Sequence, residues 1–147
     1  MTNNIIKNLS FLLIDDDKLD RMNTIRTLKR SNWSFTVCEA STAEEGLKLA
    51  SNGSFDLILL DYQLPKINGL ELLRMIKRSS SAEGAVVMLS HSDDITLSVE
   101  CIESGAQDYI TKSEMTVSRL CKAIIHSRER NRIQKELRDS HEKLKYL

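Results

Sequence analysis

The 147 residues carry 21 Lys/Arg against 21 Asp/Glu, with 41% hydrophobic and 29% charged residues. Such a chain can bury a substantial core, which excludes a disordered tail, and its balanced charge gives no sign of a polyanionic partner. Three widely spaced cysteines (Cys38, Cys101 and Cys121) without a CxxC pair exclude a disulfide scaffold or zinc centre, and fit reduced thiols in a cytoplasmic protein.

Leu9 and Ser10 lead into the apolar run Phe11–Ile14, which reads as a strand covered on both faces and is far too short for a signal-peptide core. Three carboxylates follow it: Asp15, Asp16 and Asp17. Lys18 to Lys29 repeats Leu19, Met22, Ile25 and Leu28 at near-helical spacing. Phe35–Ala40 reads as a second strand, and Ser41-Thr42-Ala43-Glu44-Glu45 as a capping box opening a second helix. The run FDLILLD, residues 55–61, is a third strand, again apolar throughout and again ending in an acid, Asp61. LPKING holds the only proline, Pro65, and closes on Gly69, so it is a loop. Then come a helix over Leu70–Lys77, a strand over Ala85–Leu89, a helix over Ile95–Glu103, a short strand over Tyr109–Thr111 and a long final helix from about Thr116. Nothing in the chain approaches the ~20 consecutive apolar residues of a membrane span.

Strands alternating with helices predict an α/β fold, a doubly wound parallel sheet, in which groups at the strand C-termini gather in one crevice. Asp15–Asp17, Asp61, Ser90 and Lys112 all stand at such ends. Two carboxylates about 4 Å apart repel by roughly 4 kcal/mol at an effective dielectric of ~20, so a converging set needs a divalent cation or a lysine, or must splay into water. Helix capping and favourable first-turn charge account for Asp17 without any site. Acids at two separate strand ends are not explained that way.

Taken in order, the acidic pair Asp15-Asp16, Asp61 after the third strand, the Pro65–Gly69 loop, Ser90, Tyr109 and Lys112 resemble a bacterial response-regulator receiver domain of two-component signalling over residues ~9 to ~127. The resemblance implies a flavodoxin-like five-stranded sheet of order 2-1-3-4-5. It implies that Asp16 and Asp61 bind Mg²⁺ directly, Asp15 through water, and the Gln63 carbonyl as a further ligand; hard oxygens suit that ion. It makes Asp61 the phosphoacceptor, Lys112 and Ser90 the groups that meet the phosphoryl oxygens, and Tyr109 a rotamer switch with Ser90. The donor is a sensor histidine kinase, a phosphotransfer protein or a small acyl phosphate. Two departures stand out: Ser113 replaces the usual proline after the lysine, and the bulky His91 follows Ser90 where a small residue is usual. A trans Lys112–Ser113 bond is expected from the cost of a non-proline cis bond, ~2.5–4 kcal/mol.

Two other classes compete. A haloacid dehalogenase-type phosphatase would use Asp15 of a DxD as nucleophile, though Lys18 and Leu19 follow where that family wants Thr or Val. A pseudo-receiver would only dimerise. His91, His126 and His141 lack ligand spacing and read as surface residues.

The final helix is expected to face the sheet with Leu120, Cys121, Ile124 and Ile125. Residues 1–127 form the receiver and 128–147 a helical linker, in which Ile133, Leu137, Ser140, Leu144 and Leu147 suggest a coiled-coil seam and a homodimer. Between Arg119 and Lys145 nine Lys/Arg stand against four Asp/Glu, a mixed pattern that fits a solvated helix face better than direct nucleic-acid contact. A chain halting mid-helix on Tyr146-Leu147 suggests the input half of a larger regulator, with HEKLKYL resembling the approach to a GGDEF-type diguanylate cyclase or a PAS module.

Overall fold

The computed structural model describes residues 8–79 and 84–144, with side chains through 142. Five strands, β1 (Leu9–Ile14), β2 (Phe35–Ala40), β3 (Leu57–Asp61), β4 (Ala85–Ser90) and β5 (Asp108–Thr111), alternate with α1 (Lys18–Lys29), α2 (Ala43–Asn52), α3 (Gly69–Arg78), α4 (Ile95–Glu103) and α5 (Val117–Leu144). All strand pairs are parallel and the order is β2-β1-β3-β4-β5, the flavodoxin-like arrangement expected. Among the described residues no helix is long and apolar enough to cross a membrane.

Because side chains alternate along a strand, the all-apolar β1, β3 and β4 feed two cores. Leu12, Ile14, Ile58, Leu60, Val86 and Met88 pack on the side of α2, α3 and α4. Phe11, Leu13, Leu57, Leu59, Val87 and Leu89 pack with Leu28 of α1 and Leu120, Ala123 and Ile124 of α5.

Two helical faces differ from expectation. In α1 the buried residues are Thr24, Thr27 and Leu28, whereas Leu19 is 74% and Met22 46% exposed. The periodic apolar residues mark the helix correctly but only its C-terminal end meets the sheet. In α5, Leu120 and Ile124 are buried as expected and Cys121 partly so, but Ile125 is 45% exposed. Ala123 and Ser127 occupy the inward positions instead, where small side chains let the helix approach β3 and β4 closely.

Helix α5 is fastened at two points, to β5 and to the residue just before it. Arg119 donates a fork to Asp108, with both contacts at 3.0 Å, and reaches the Tyr109 carbonyl at 3.1 Å. Three turns later Arg130 donates to the Gln107 carbonyl at 3.1 Å. Beyond that point Ile133 and Leu137 are exposed. Of the suggested seam, the Leu144 side chain and Leu147 lie outside the described residues.

The caps explain where the helices start. Asp17 caps α1, accepting from the Leu19 and Asp20 N–H groups at 2.9 and 3.1 Å. Thr42 caps α2 by accepting from Glu45 N–H, while the Glu45 carboxylate accepts from Ser41 N–H, one residue before the position in the usual capping box. Gly69, which opens α3, lies so close to the end of β3 that a Cβ there would sit 2.3 Å from the Asp61 carbonyl oxygen and 2.7 Å from Tyr62 Cα. Its N–H donates to the Tyr62 carbonyl at 2.7 Å. Gly69→Ala is therefore expected to cost about 2–3 kcal/mol, since backbone has to move to relieve the overlap. Urea unfolding measures this, and a cost below about 0.5 kcal/mol would mean the loop yields freely.

Candidate functional site

The strand register lines up the site. Ile14 pairs with Leu60, Asp61 with Leu89 and Ser90 with Thr111. Asp15 therefore emerges beside Asp61, with Ser90 at the next strand end and Lys112 directly after β5. The turn after β1 supplies Asp15 and Asp16, and one ligand oxygen from each of Asp15, Asp16 and Asp61 lies within 4.8 Å of the others.

The three acids are not equivalent. Asp15 is fully buried, and both its oxygens are engaged: Oδ1 accepts from Asp17 N–H at 2.9 Å and Oδ2 from Lys112 Nζ at 2.8 Å. Asp16 is exposed. Asp61 is 2% exposed, and its Oδ1 accepts no hydrogen bond although Lys112 Nζ lies 3.1 Å away. The ammonium attracts Asp61 at this distance without reaching hydrogen-bond geometry on Oδ1. A buried carboxylate oxygen left this way is a vacant ligand for a hard cation.

Burial above all, then the neighbouring Asp15 carboxylate, push the Asp61 carboxyl up to about 7, with Lys112 opposing them. Burial alone would lower the Lys112 ammonium, but hydrogen bonds to Asp15 and Asp20 and the charges of Asp61 and Asp15 raise it above its ordinary value. Lysine is thus charged at any physiological pH, while Asp61 sits frustrated between a like charge and a low-dielectric interior.

The other expected residues converge on the same crevice. Ser90 is fully buried; its Oγ accepts from Gln63 Nε2 at 3.2 Å and from Ser92 N–H at 3.0 Å, so the hydroxyl proton is left for another acceptor. Gln63 is exposed and bridges two loops, its Oε1 also accepting from His91 N–H at 3.4 Å. Among the described residues no backbone N–H is donated to the Gln63 carbonyl. Tyr109 is half-buried, with its hydroxyl donating to the Ser92 carbonyl at 2.7 Å, so the aromatic at mid-β5 is tied to the loop that carries Ser90. The Lys112–Ser113 bond is trans, and Lys112–Glu114 forms a 3₁₀ turn.

Two residues, Arg21 and Asp20, were not singled out in the sequence, and His91 was noted only for its bulk beside Ser90 and as a surface residue. Arg21 of α1 donates to the Asp15 carbonyl at 2.7 Å and pairs with Glu39 at 2.9 Å, bracing the acidic loop. Asp20 of α1 accepts from Lys112 Nζ at 2.8 Å and lies 2.9 Å from His91 Nε2. His91 is exposed, as expected, yet it has this partner. Acidic and basic residues in a first helical turn carry no mark in sequence of such long-range contacts.

These positions correspond to a known family. A family model described as the response regulator receiver domain matches residues 11–125. The transcriptional regulatory protein AfsQ1 of Streptomyces coelicolor is 39% identical over 103 residues, covering 70% of this chain but only 44% of its own length. The two-component response regulator ORR6 of Oryza sativa is 33% identical over 117 residues, covering 77% of this chain and 69% of that protein. Among solved structures, a response regulator receiver domain from Clostridium thermocellum superposes with a TM-score of 0.74 at 28% identity, over 86% of this chain and 98% of that one. The chain spans less than half of AfsQ1 and most of ORR6. On the family match and the sheet with its acidic crevice, this chain belongs to the response regulator receiver domain family, the signalling domain of two-component systems.

Proposed function

We propose that this receiver is a magnesium-dependent phosphoacceptor with Asp61 as its nucleophile. The observation that carries the reading is the clustering of the Asp15, Asp16 and Asp61 oxygens within 4.8 Å, with the Lys112 ammonium 3.1 Å from Asp61. Asp16, Asp61 and the Gln63 carbonyl would hold the cation directly, and Asp15, its oxygens engaged by Lys112 and Asp17 N–H, would act through water. Bound Mg²⁺ supplies charge neutralisation for the carboxylates and the incoming phosphoryl group.

The chain's own residues do the rest. An Asp61 carboxylate oxygen attacks phosphorus, forming an acyl phosphate as the bond from phosphorus to the donor breaks; neutral imidazole leaves from a phosphohistidine already protonated on its other ring nitrogen, or acetate from acetyl phosphate. Neither leaving group takes a proton from the protein. Lys112 meets one phosphoryl oxygen as a point charge and the Ser90 hydroxyl donates to another. Turning Ser90 toward phosphorus loosens its bond from Ser92 N–H, and Ser92 also holds Tyr109 through its carbonyl, so Tyr109 senses the change.

The partner is a sensor histidine kinase or a phosphotransfer protein. Residues 1–127 are the receiver and 128–147 the linker, and a homodimer through Ile133, Leu137 and Leu144 is the output we assign to α5. The exposure of Ile133 and Leu137 supports that assignment.

The test is incubation with Mg²⁺ and acetyl phosphate, followed by intact mass and peptide mapping. One phosphoryl increment on Asp61, lost in Asp61→Ala and on chelation of Mg²⁺, is expected. Labelling of Asp15 would instead indicate the phosphatase chemistry, and no adduct with either acetyl phosphate or beryllofluoride would indicate a pseudo-receiver.

A further inference from the structure

Asp20 has no need to be where it is for the sake of its helix. Asp17 already caps α1 with its own carboxylate. Instead, a single Asp20 oxygen, Oδ2, meets two side chains that belong to other elements: Lys112 Nζ after β5 at 2.8 Å and His91 Nε2 after β4 at 2.9 Å. We propose that Asp20 is a positioning residue of the phosphoryl-transfer site, clasping the Lys112 ammonium and the His91 ring across its outer edge and so setting how readily phosphodonor and water reach Asp61. The proposal rests on the phosphoacceptor reading above.

Three features make the clasp consequential. An ammonium has three N–H donors, and here it serves Asp15 and Asp20 by hydrogen bonds while Asp61 Oδ1, at 3.1 Å, receives none. Asp20 therefore takes one of the two donors that Asp15 leaves and fixes the direction of the third, the one available to Asp61 or to a phosphoryl oxygen on it. Second, His91 projects from the loop carrying Ser90, and its side chain is 60% exposed with Asp20 as its ring partner. Without that partner, nothing described ties the ring to α1. Third, Asp20, His91 and Lys112 share with Met115 the walls of a recess of about 270 Å³. This recess opens onto the lysine next to a nearly fully buried Asp61. The Asp20–His91 contact spans α1 and the β4–α4 loop beside it.

Releasing the clasp should speed both directions of access. With Mg²⁺ and acetyl phosphate, Asp20→Asn and His91→Ala are each expected to raise the rate of Asp61 adduct formation by about threefold or more, and the rate of adduct hydrolysis likewise. The double variant should be no faster than the faster single one, because both substitutions open the same contact. Asp20→Glu should recover part of the wild-type rates. The Lys112 ammonium resonance in nitrogen-15 spectra should shift in Asp20→Asn, a change that a mere loss of stability would not produce. His91→Ala alters only an exposed side chain, so a poorly folded Asp20→Asn still leaves a usable variant.

Rates within twofold of wild type in both single variants would overturn the role of Asp20. Multiplying effects in the double variant would do the same, since they would trace the Asp20 effect to its charge acting on an anionic donor. A wild-type protein that forms no adduct on Asp61 would overturn the phosphoacceptor reading and the clasp with it. A normal wild-type adduct with unchanged variant kinetics would remove the clasp alone.

Discussion

Lys112→Ala is expected to lower the stability of the metal-free protein by about 3–5 kcal/mol at neutral pH, the cost typical of stripping one partner from a buried ion pair. The lysine side chain is 6% exposed and stands within 3.1 Å of three carboxylates, two of them almost entirely buried. Removing it leaves Asp15 and Asp61 facing each other with no compensating charge, and neither can be rehydrated without opening the crevice. Saturating Mg²⁺ should recover most of the loss by supplying the missing positive charge between the same acids. Urea denaturation with and without Mg²⁺ reads both quantities. An equal deficit in the presence and absence of the ion would mean that the lysine contributes by packing its stem rather than by its charge. The variant should still accept a phosphoryl group, because Asp61 and the metal ligands remain, but transmit it poorly. Phosphorylation-dependent self-association equal to wild type would refute that role.

The second large effect concerns pH. In the unfolded chain Asp61 has the ordinary carboxyl value, about 3.9, whereas in the fold burial and Asp15 push it up to about 7. Between those values the native state binds a proton that the unfolded state does not, so stability falls as pH rises. Its favourable contribution is complete below about pH 4 and lost above about pH 7, with a span of about 4 kcal/mol. Metal-free wild-type protein should therefore lose stability relative to Asp61→Asn between about pH 4 and pH 8. Mg²⁺ should flatten the difference at the upper end, because it binds only the ionised native site. Asp20 contributes with the opposite sign: burial raises its carboxyl, but donors from Lys112 and His91 more than offset this and hold it below its ordinary 3.8. Its stabilisation is present above that value and fades only as pH falls further, outside the Asp61 window. If wild type and Asp61→Asn trace parallel curves from acid to alkaline pH, Asp61 is not the frustrated group.

Much of this was legible in the sequence, for reasons that can be named. Runs such as Phe11–Ile14 and Leu57–Leu60 are apolar at every position because both sheet faces are covered, and each ends in an acid where the chain leaves the core. That pattern, repeated along the chain, fixes a parallel sheet and the edge at which polar groups collect. Periodicity was a poorer guide to which helix face is buried. Leu19 and Met22 have the spacing of a core stripe, yet Thr24 and Thr27 take the inward positions of α1. Similarly, Ala123 and Ser127 displace Ile125 in α5, since close approach to a sheet selects for small side chains as much as for apolar ones. Asp20, Arg21 and the partner of His91 were hidden for another reason. Each residue has a satisfactory local explanation as a helix-turn charge or surface loop residue, and their side-chain partners lie 18 to 92 positions away. Side-chain reach across a crevice is a property of the assembled fold.

The double fastening of α5 has a mechanical consequence. The helix is 28 residues long, about 42 Å, and runs about 21 Å past Arg130, the residue that holds the Gln107 carbonyl just before β5. A tilt of only ~5° about that fulcrum would carry the far tip sideways by roughly 2 Å, an amplification inherent in the length of a stiff rod. Because Arg119 grips the Tyr109 carbonyl itself, the lever's short end is seated on the strand residue that is also bonded to the Ser92 loop.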